Sequence, residues 1–188
     1  MSEPARRKST HEDLYWVPEN MIGEIINGGL IVSPRPSLDH SHSASILGGE
    51  LVPPFAMGRG GGPGGWLILV EPEVRLGEDV LVPDLAGWKK ERLAGRLKSE
   101  WMATAPDWVC EILSPISALR DRTVKKTIYE DQGVVHLWLV DPLNRTIEVF
   151  RLESGVLVPA GVVGGPEKAR LEPFQEIEIQ LGDLWLED

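Results

Sequence analysis

The chain has 188 residues, which is enough for one domain with a sizeable hydrophobic core. Its 19 Lys and Arg against 29 Asp and Glu give a formal net charge of −10, which argues against general nucleic-acid binding, because such binding depends on cationic side chains neutralising phosphates. A local basic groove remains compatible with this charge. No apolar run approaches the roughly 18 residues of a membrane span, and the single cysteine excludes a disulfide framework.

These features favour a cytoplasmic protein. We expect residues 1–11 to form a disordered tail and residues 12–188 to form a single domain. A sequence resembling a capping box from Thr10 to Asp13 predicts a short first helix. Asn27-Gly28 stands between two apolar runs, which predicts a β-hairpin. A helical pattern follows over residues 39–56.

The middle of the chain predicts strands at residues 66–70, 73–76, 80–88 and 108–113, a helix at 117–131 and a strand at 136–140. Outer strands are predicted at 146–152 and 156–163, and a last alternating strand at 174–181. The succession of strand, helix and strand from residue 108 to residue 140 predicts a parallel pair with a right-handed crossover. With the remaining strands antiparallel, the sequence predicts an α/β fold with a mixed sheet.

Two acidic residues stand inside apolar runs, where an unpaired carboxylate is costly. Asp84 follows Pro83, and Glu111 interrupts the otherwise apolar run from Trp108 to Leu113. Two converging carboxylates are suitable ligands for a hard divalent cation. The structural alternatives are a turn or capping role for Asp84, and a buried ion pair for Glu111.

A lysine and a tyrosine follow on the next predicted helix. Asp121, Lys125 and Tyr129 are spaced by four residues, so we expect them on one helix face. The alternative for this face is a surface ion pair between Asp121 and Lys125, with Tyr129 half buried. Cys110 alternates with Glu111 along the strand, so it is expected on the opposite face as a small buried hydrophobic residue.

Three segments together resemble the putative restriction endonuclease domain family, a bacterial family expanded in cyanobacteria within the PD-(D/E)XK nuclease superfamily. They are Asp107-Trp108-Val109-Cys110-Glu111-Ile112-Leu113-Ser114-Pro115, Asp121 through Lys125 to Tyr129, and Leu137-Trp138-Leu139-Val140-Asp141-Pro142. Residues 24–28, His40 and Val82-Pro83-Asp84 fit the N-terminal half of the same family, so the resemblance runs from about residue 12 to the C-terminus. It implies a restriction-endonuclease-like core with flanking helices, extra antiparallel strands and a site at one sheet edge.

The resemblance also implies a metal site. Asp84 and Glu111 match the two motif acids, which would bind Mg²⁺ or Mn²⁺ together with the main-chain carbonyl of Ile112. Glu24 matches an N-terminal acid that could complete the metal shell. The expected reaction is hydrolysis of phosphodiester bonds, with DNA as the substrate and no predicted sequence specificity.

The resemblance gives further residues a place near this metal site. The usual lysine of the superfamily would stand at Leu113, and its role is expected to pass to Lys125 on the following helix. Lys125 would orient the attacking water or stabilise the phosphate. His40 and Tyr129 match supporting positions near the site.

Two alternatives to a nuclease remain open. A catalytically inactive nuclease-fold protein that acts as a binding module is favoured by the net charge of −10. A purely structural network of acids and lysine predicts a direct Glu111–Lys125 pair with no room for metal. A homodimer is also expected from the family. Trp88 and Trp108 stand close to the proposed acids, where they would stack on bases or, as we expect, pack in the core.

Overall fold

The computed structural model describes residues 7–93 and 101–187. In chain order the described strands are β1 (Met21–Ile26), β2 (Gly29–Pro34), β3 (Trp66–Val70), β4 (Val74–Leu76), β5 (Asp79–Leu81), β6 (Leu85–Lys89), β7 (Trp108–Ile112), β8 (His136–Asp141), β9 (Thr146–Glu153), β10 (Val156–Gly164), β11 (Lys168–Ala169) and β12 (Ile179–Gln180). The described α-helices are α1 (His11–Leu14), α2 (Leu38–Leu51), α3 (Ala118–Arg120) and α4 (Lys126–Asp131). A π-helical segment (Val52–Ala56) continues α2, another (Asp121–Lys125) joins α3 to α4, and Lys90–Leu93 and Leu181–Leu184 form 3₁₀ helices.

The larger sheet has the strand order β10-β9-β8-β7-β6-β3. Its central pair, β7 and β8, is parallel and places Glu111 opposite Leu139, whereas its other pairs are antiparallel. The crossover between β7 and β8 is the helical segment formed by α3, the π-helical turn and α4. The predicted α/β fold with a mixed sheet is therefore confirmed.

A smaller antiparallel sheet of order β2-β1-β5-β4 contains the predicted hairpin. Asn27 and Gly28 have φ angles of 52° and 75°, the left-handed conformation that a two-residue hairpin turn requires. Residues 1–6 of the expected tail lie outside the described residues. Beyond them, the Ser9 N–H donates to the Gly28 carbonyl, and α1 begins at His11 with the predicted capping box.

The prediction of one strand over residues 80–88 was wrong, and the difference shapes the site. β5 ends at Leu81 in the smaller sheet and β6 begins at Leu85 in the larger sheet. Pro83 lies in the break, and a proline has no N–H with which to continue a strand ladder. The chain therefore passes from one sheet to the other at this point, and Asp84 lies at the junction.

The predicted last strand over residues 174–181 was also largely wrong. Only β12 forms, and it pairs with the short β11. Phe174 instead lies between two turns and packs against Trp66, Trp108 and Trp138 at ring-centroid distances of 5.0, 4.9 and 5.8 Å. Before β12 the alternating pattern thus reflects burial of single side chains without sheet pairing.

The two faces of β7 are buried in different ways. Trp108, Cys110 and Ile112 pack into an apolar cluster that includes Phe174, whereas Glu111 is buried on the opposite face. Trp88 is also fully buried, so the core-packing alternative for Trp88 and Trp108 is confirmed. None of the described helices has the length and apolar character needed to cross a bilayer.

Candidate active site

Asp84 joins the break before β6 to the end of β7. Its Oδ2 accepts a hydrogen bond of 2.6 Å from the backbone N–H of Ile112. Ile112 directly follows Glu111, so this bond places the two predicted acids at the same edge of the larger sheet. The proline break that interrupts residues 80–88 is therefore what brings Asp84 to the site.

Lys125 contacts three carboxylates from the far side of the site. Its Nζ lies 2.7 Å from Oε1 of Glu111, 2.9 Å from Oε1 of Glu24 and 4.0 Å from Oδ1 of Asp121. Each of these four side chains is at most 6% exposed. Lys125 ends the π-helical turn, while Glu111 and Glu24 come from the two different sheets, so the ion pairs join three parts of the fold.

Two further donors hold the glutamates in place. The phenol of Tyr129 donates a short hydrogen bond to Oε1 of Glu111, and the Val82 N–H donates to Oε1 of Glu24 at 3.0 Å. The contacts of Lys125, Tyr129 and Val82 therefore all use Oε1, and none of them uses the second carboxylate oxygen, Oε2.

His40 reaches the site from the first turn of α2, which begins after the N-cap Ser37. Its Nε2 lies 3.0 Å from Oδ1 of Asp84. The other ring nitrogen, Nδ1, is buried and has no hydrogen-bond partner among the residues that the structure describes. His40 therefore orients Asp84 from the side opposite to Ile112.

The pKa values of these groups reflect burial and crowding of charge. Burial raises the pKa of Glu111 well above its ordinary value, although the charge of Lys125 opposes this change. Burial likewise raises the pKa of Asp121. For Lys125, burial favours the neutral amine, but Glu111, Glu24 and Asp121 outweigh it and raise the pKa, so the ammonium form persists.

The two supporting residues also have shifted pKa values. Burial, together with the charge of Glu111, raises the pKa of Tyr129 well above its ordinary value, so the phenol remains a hydrogen-bond donor. Burial lowers the pKa of His40, but the hydrogen bond and charge of Asp84 outweigh burial and give a raised pKa. His40 and Asp84 therefore stabilise each other best as a charged pair.

Apart from Tyr129, which lies behind Glu111, these side chains line one cavity of about 380 Å³. Its charged and hydrogen-bonding lining residues are Glu24, Ser33, Arg35, Ser37, His40, Asp84, Glu111, Ser114, Ser117, Arg120, Asp121 and Lys125. The direct Glu111–Lys125 pair of the purely structural alternative is present, but it lies in the wall of an open space and not in a filled core.

The donor set fits a hard divalent cation. Four carboxylates line the cavity, and carboxylate and carbonyl oxygens are the ligands of Mg²⁺ and Mn²⁺. Among the described residues, however, no group of three or more His, Cys, Asp and Glu side chains is already arranged around a point that would hold a metal. The cavity thus offers carboxylate oxygens of the kind that bind Mg²⁺ and Mn²⁺, and two of these oxygens contact Lys125.

The six predicted side chains meet at this cavity: Glu24, His40, Asp84, Glu111, Lys125 and Tyr129, the last through its bond to Glu111. Ile112, predicted through its main-chain carbonyl, also lines the cavity. Their catalytic and metal-binding roles stay predictions. Arg120 and Arg35 also line the cavity and were missed. The available signal for Arg120 was its place beside Asp121, on the helix that follows the Glu111 strand; Arg35, in a proline-rich loop, gave none.

Comparison with known proteins gives a family match, matches to solved structures and one negative result. The model of the family Uma2, described as "Putative restriction endonuclease", matches residues 10–182. The crystal structure of a putative nuclease belonging to DUF820 from Anabaena variabilis superposes with a TM-score of 0.71 at 24% identity, over 94% of this chain and 97% of the other. No curated protein matches. The superposition confirms the predicted nuclease-like fold.

Proposed function

Because this chain belongs to the Uma2 family, described as "Putative restriction endonuclease", we propose that it is a Mg²⁺-dependent nuclease that hydrolyses phosphodiester bonds of DNA. The observation that carries this proposal is the convergence of Asp84, Glu111, Glu24 and Lys125 on one cavity. A cluster of carboxylates beside a retained ammonium is costly to bury. Such a cluster is expected at a site whose ligand is a cation together with an anionic substrate.

Asp84, Glu111 and the main-chain carbonyl of Ile112 would hold the cation, with Glu24 completing the shell. A bound Mg²⁺ or Mn²⁺ would supply positive charge to the phosphate and lower the pKa of a water molecule. Oε1 of both glutamates carries the contacts of Lys125, and Oε2 of each takes no part in them.

The protein's own groups would then position the reactants. Lys125 keeps its proton, so it serves as a fixed positive charge and hydrogen-bond donor to the water or the phosphate, and not as a general base. Tyr129 fixes the carboxylate of Glu111, and His40 fixes that of Asp84. Orientation of this kind is what converts a set of ligands into a precise site.

The proposal is tested by calorimetric titration with Mg²⁺ and Mn²⁺, followed by cleavage of supercoiled plasmid. The wild type is compared with Asp84→Asn and Glu111→Gln, and with Glu176→Gln, which removes an exposed carboxylate outside the cavity. We expect binding and cleavage in the wild type and Glu176→Gln, and loss of both in the two cavity variants. Absence of metal binding by the folded wild type would overturn the proposal.

A second candidate is a nuclease-fold protein that binds DNA or a protein partner without cutting. The contacts of Lys125 with both glutamates favour this second candidate. The ammonium contacts carboxylate oxygens that would have to be free in a preformed metal site. Metal binding without plasmid cleavage, or DNA binding by a protein that fails to bind Mg²⁺ and Mn²⁺, would select this candidate. A homodimer and a cytoplasmic location stay predictions.

A further inference from the structure

The cavity has an uneven distribution of charge. Four carboxylates line it, from Glu24, Asp84, Glu111 and Asp121, and a polynucleotide strand entering it would add further negative charge. Cationic side chains must therefore be available to the strand, because association with nucleic acid depends on phosphate neutralisation.

Two of the cations in the cavity wall are already paired. Lys125 contacts Glu111 and Glu24, as described above. Arg35 lies at the exposed side of the cavity, where Nη1 is 3.2 Å from Oε2 of Glu71 and Nη2 donates to the Glu19 carbonyl at 3.1 Å. Neither side chain offers an uncompensated charge.

Arg120 is different. The charge of Arg120 opposes the raised pKa of the neighbouring Asp121. Within residues 7–93 and 101–187, however, no carboxylate lies within ion-pair distance of the guanidinium, and its side-chain hydrogen bond is a long one of 3.4 Å from Nη2 to the hydroxyl of Ser33. Its Nε is buried and has no hydrogen-bond partner among the described residues. A buried donor of a charged group that lacks a partner is costly, and a bound anion would remove that cost.

From this we propose, building on the nuclease function proposed above, that Arg120 binds a backbone phosphate of the DNA strand in the cavity. This phosphate would lie beside the phosphodiester that Asp84 and Glu111 address. The planar guanidinium can donate two parallel hydrogen bonds to phosphate oxygens. Ser114 and Ser117 line the same cavity, and their hydroxyl groups are further donors for the strand.

This assignment gives Arg120 a binding role that is separate from metal binding. Arg120 belongs to α3, one residue before Asp121, whereas the predicted metal ligands lie on the two sheets and at the break between them. Loss of the guanidinium should weaken binding of the strand while leaving the titration with Mg²⁺ unchanged.

The test is fluorescence anisotropy with a fluorescein-labelled, random-sequence DNA duplex and its single strand, in EDTA and separately in Ca²⁺, over a series of salt concentrations. We expect Arg120→Gln to weaken DNA binding about tenfold or more. The slope of log K against log salt should also become smaller in magnitude by about one, which corresponds to the loss of one phosphate contact. Arg120→Lys should keep the salt dependence, because the positive charge remains. It should lose part of the affinity for DNA, because an ammonium cannot donate the two parallel hydrogen bonds of a guanidinium.

Two control variants separate phosphate binding from a structural role. Arg59→Gln removes an exposed arginine of the glycine-rich loop outside the cavity and should bind as the wild type does. Ser33→Ala removes the hydrogen-bond partner of Arg120, so a purely structural role predicts the same loss as Arg120→Gln, whereas phosphate binding predicts a much smaller one.

The proposal for Arg120 is overturned if Arg120→Gln binds like the wild type, if Ser33→Ala reproduces its loss, or if the wild type binds neither probe in either buffer. DNA binding that depends on Arg120 in a protein that fails to bind Mg²⁺ would support this site while overturning the nuclease proposal. The failures of the two proposals are therefore distinguishable.

Discussion

The ammonium of Lys125 lies 2.7 Å from Oε1 of Glu111, and both side chains are 4% exposed. This pair joins the π-helical turn to the central strand β7. Glu24 also contacts the ammonium of Lys125, and Tyr129 donates a hydrogen bond to Glu111. The residues proposed for catalysis are therefore also residues on which the local stability of the fold depends.

Removing the ammonium should destabilise the protein strongly. In Lys125→Met the carboxylates of Glu111 and Glu24 lose their shared cation, and breaking a buried pair on one side costs about 3–5 kcal/mol of unfolding free energy. Urea unfolding followed by circular dichroism measures this loss. Adding Glu111→Gln should recover part of it, because one of the unpaired charges is then absent.

The matched control is Lys168→Met, which removes an exposed lysine 3.2 Å from Glu178. An exposed pair contributes little, since solvent screens both charges. Equal losses in Lys125→Met and Lys168→Met would contradict a buried network centred on Lys125.

Asp84 and Glu111 were predictable because charged residues in apolar runs are informative in themselves, whereas Lys125 was predicted from its helix position after Glu111 and from the family resemblance. Glu111 interrupts a strand that is buried on both faces, and Lys125 and Tyr129 share a helix face with Asp121. The π-helical turn within this helix was not predicted, yet it leaves Lys125 and Tyr129 on the side that contacts Glu111.

Other features depend on pairings between distant segments. Pro83 interrupts residues 80–88, but the choice of partners, β1 and β4 for β5 and β3 and β7 for β6, is what places the two halves in different sheets. The surroundings of Arg120 likewise depend on the approach of Ser33 from β2. Neither arrangement follows from hydrophobic periodicity.

Tyr129→Phe tests whether the phenol holds Glu111 as a donor. A hydrogen bond to a charged group contributes about 1.5–3 kcal/mol, so we expect a loss of that size in unfolding free energy by urea titration. Because the pKa of Tyr129 is raised, the phenol stays protonated, and the alkaline limb of a cleavage–pH profile should be the same in both proteins. Tyr15→Phe, at a side chain 67% exposed, should leave stability unchanged.

His40 should make stability depend on pH near neutrality. Its folded-state pKa is raised above the ordinary value of 6.5, so the folded state binds the proton more tightly than the unfolded state does. The resulting stabilisation is fully present below pH 6.5 and is lost as the pH rises through the folded-state pKa.

The measurement for His40 is the unfolding free energy of the wild type minus that of His40→Gln, determined in EDTA across this pH range. We expect the difference to be larger on the acidic side. His42→Gln on the same helix, where the ring hydrogen-bonds to the Asp183 carbonyl, is the control and should show no such trend. A difference that grows as the pH rises would refute the charged His40–Asp84 pair.

Glu111→Gln should separate stability from metal binding. Burial already disfavours the charged carboxylate of Glu111, and glutamine keeps the shape and an acceptor for Tyr129, while Lys125 retains Glu24. In EDTA we therefore expect the unfolding free energy of Glu111→Gln to be no more than about 1 kcal/mol below that of the wild type, or to exceed it. Substitutions at functional sites often raise stability in this way, because the site is not optimised for stability.

At saturating Mg²⁺ we expect the wild type to be more stable than Glu111→Gln. A ligand that binds only the folded state adds about 2.7 kcal/mol at a concentration a hundred times its Kd, and the variant lacks a proposed ligand. Urea unfolding with and without Mg²⁺ should thus show a stabilisation in the wild type that is absent in Glu111→Gln. An equal increase in both proteins would place the cation elsewhere, whereas a large loss in EDTA would mean that the charge of Glu111 is itself required for folding.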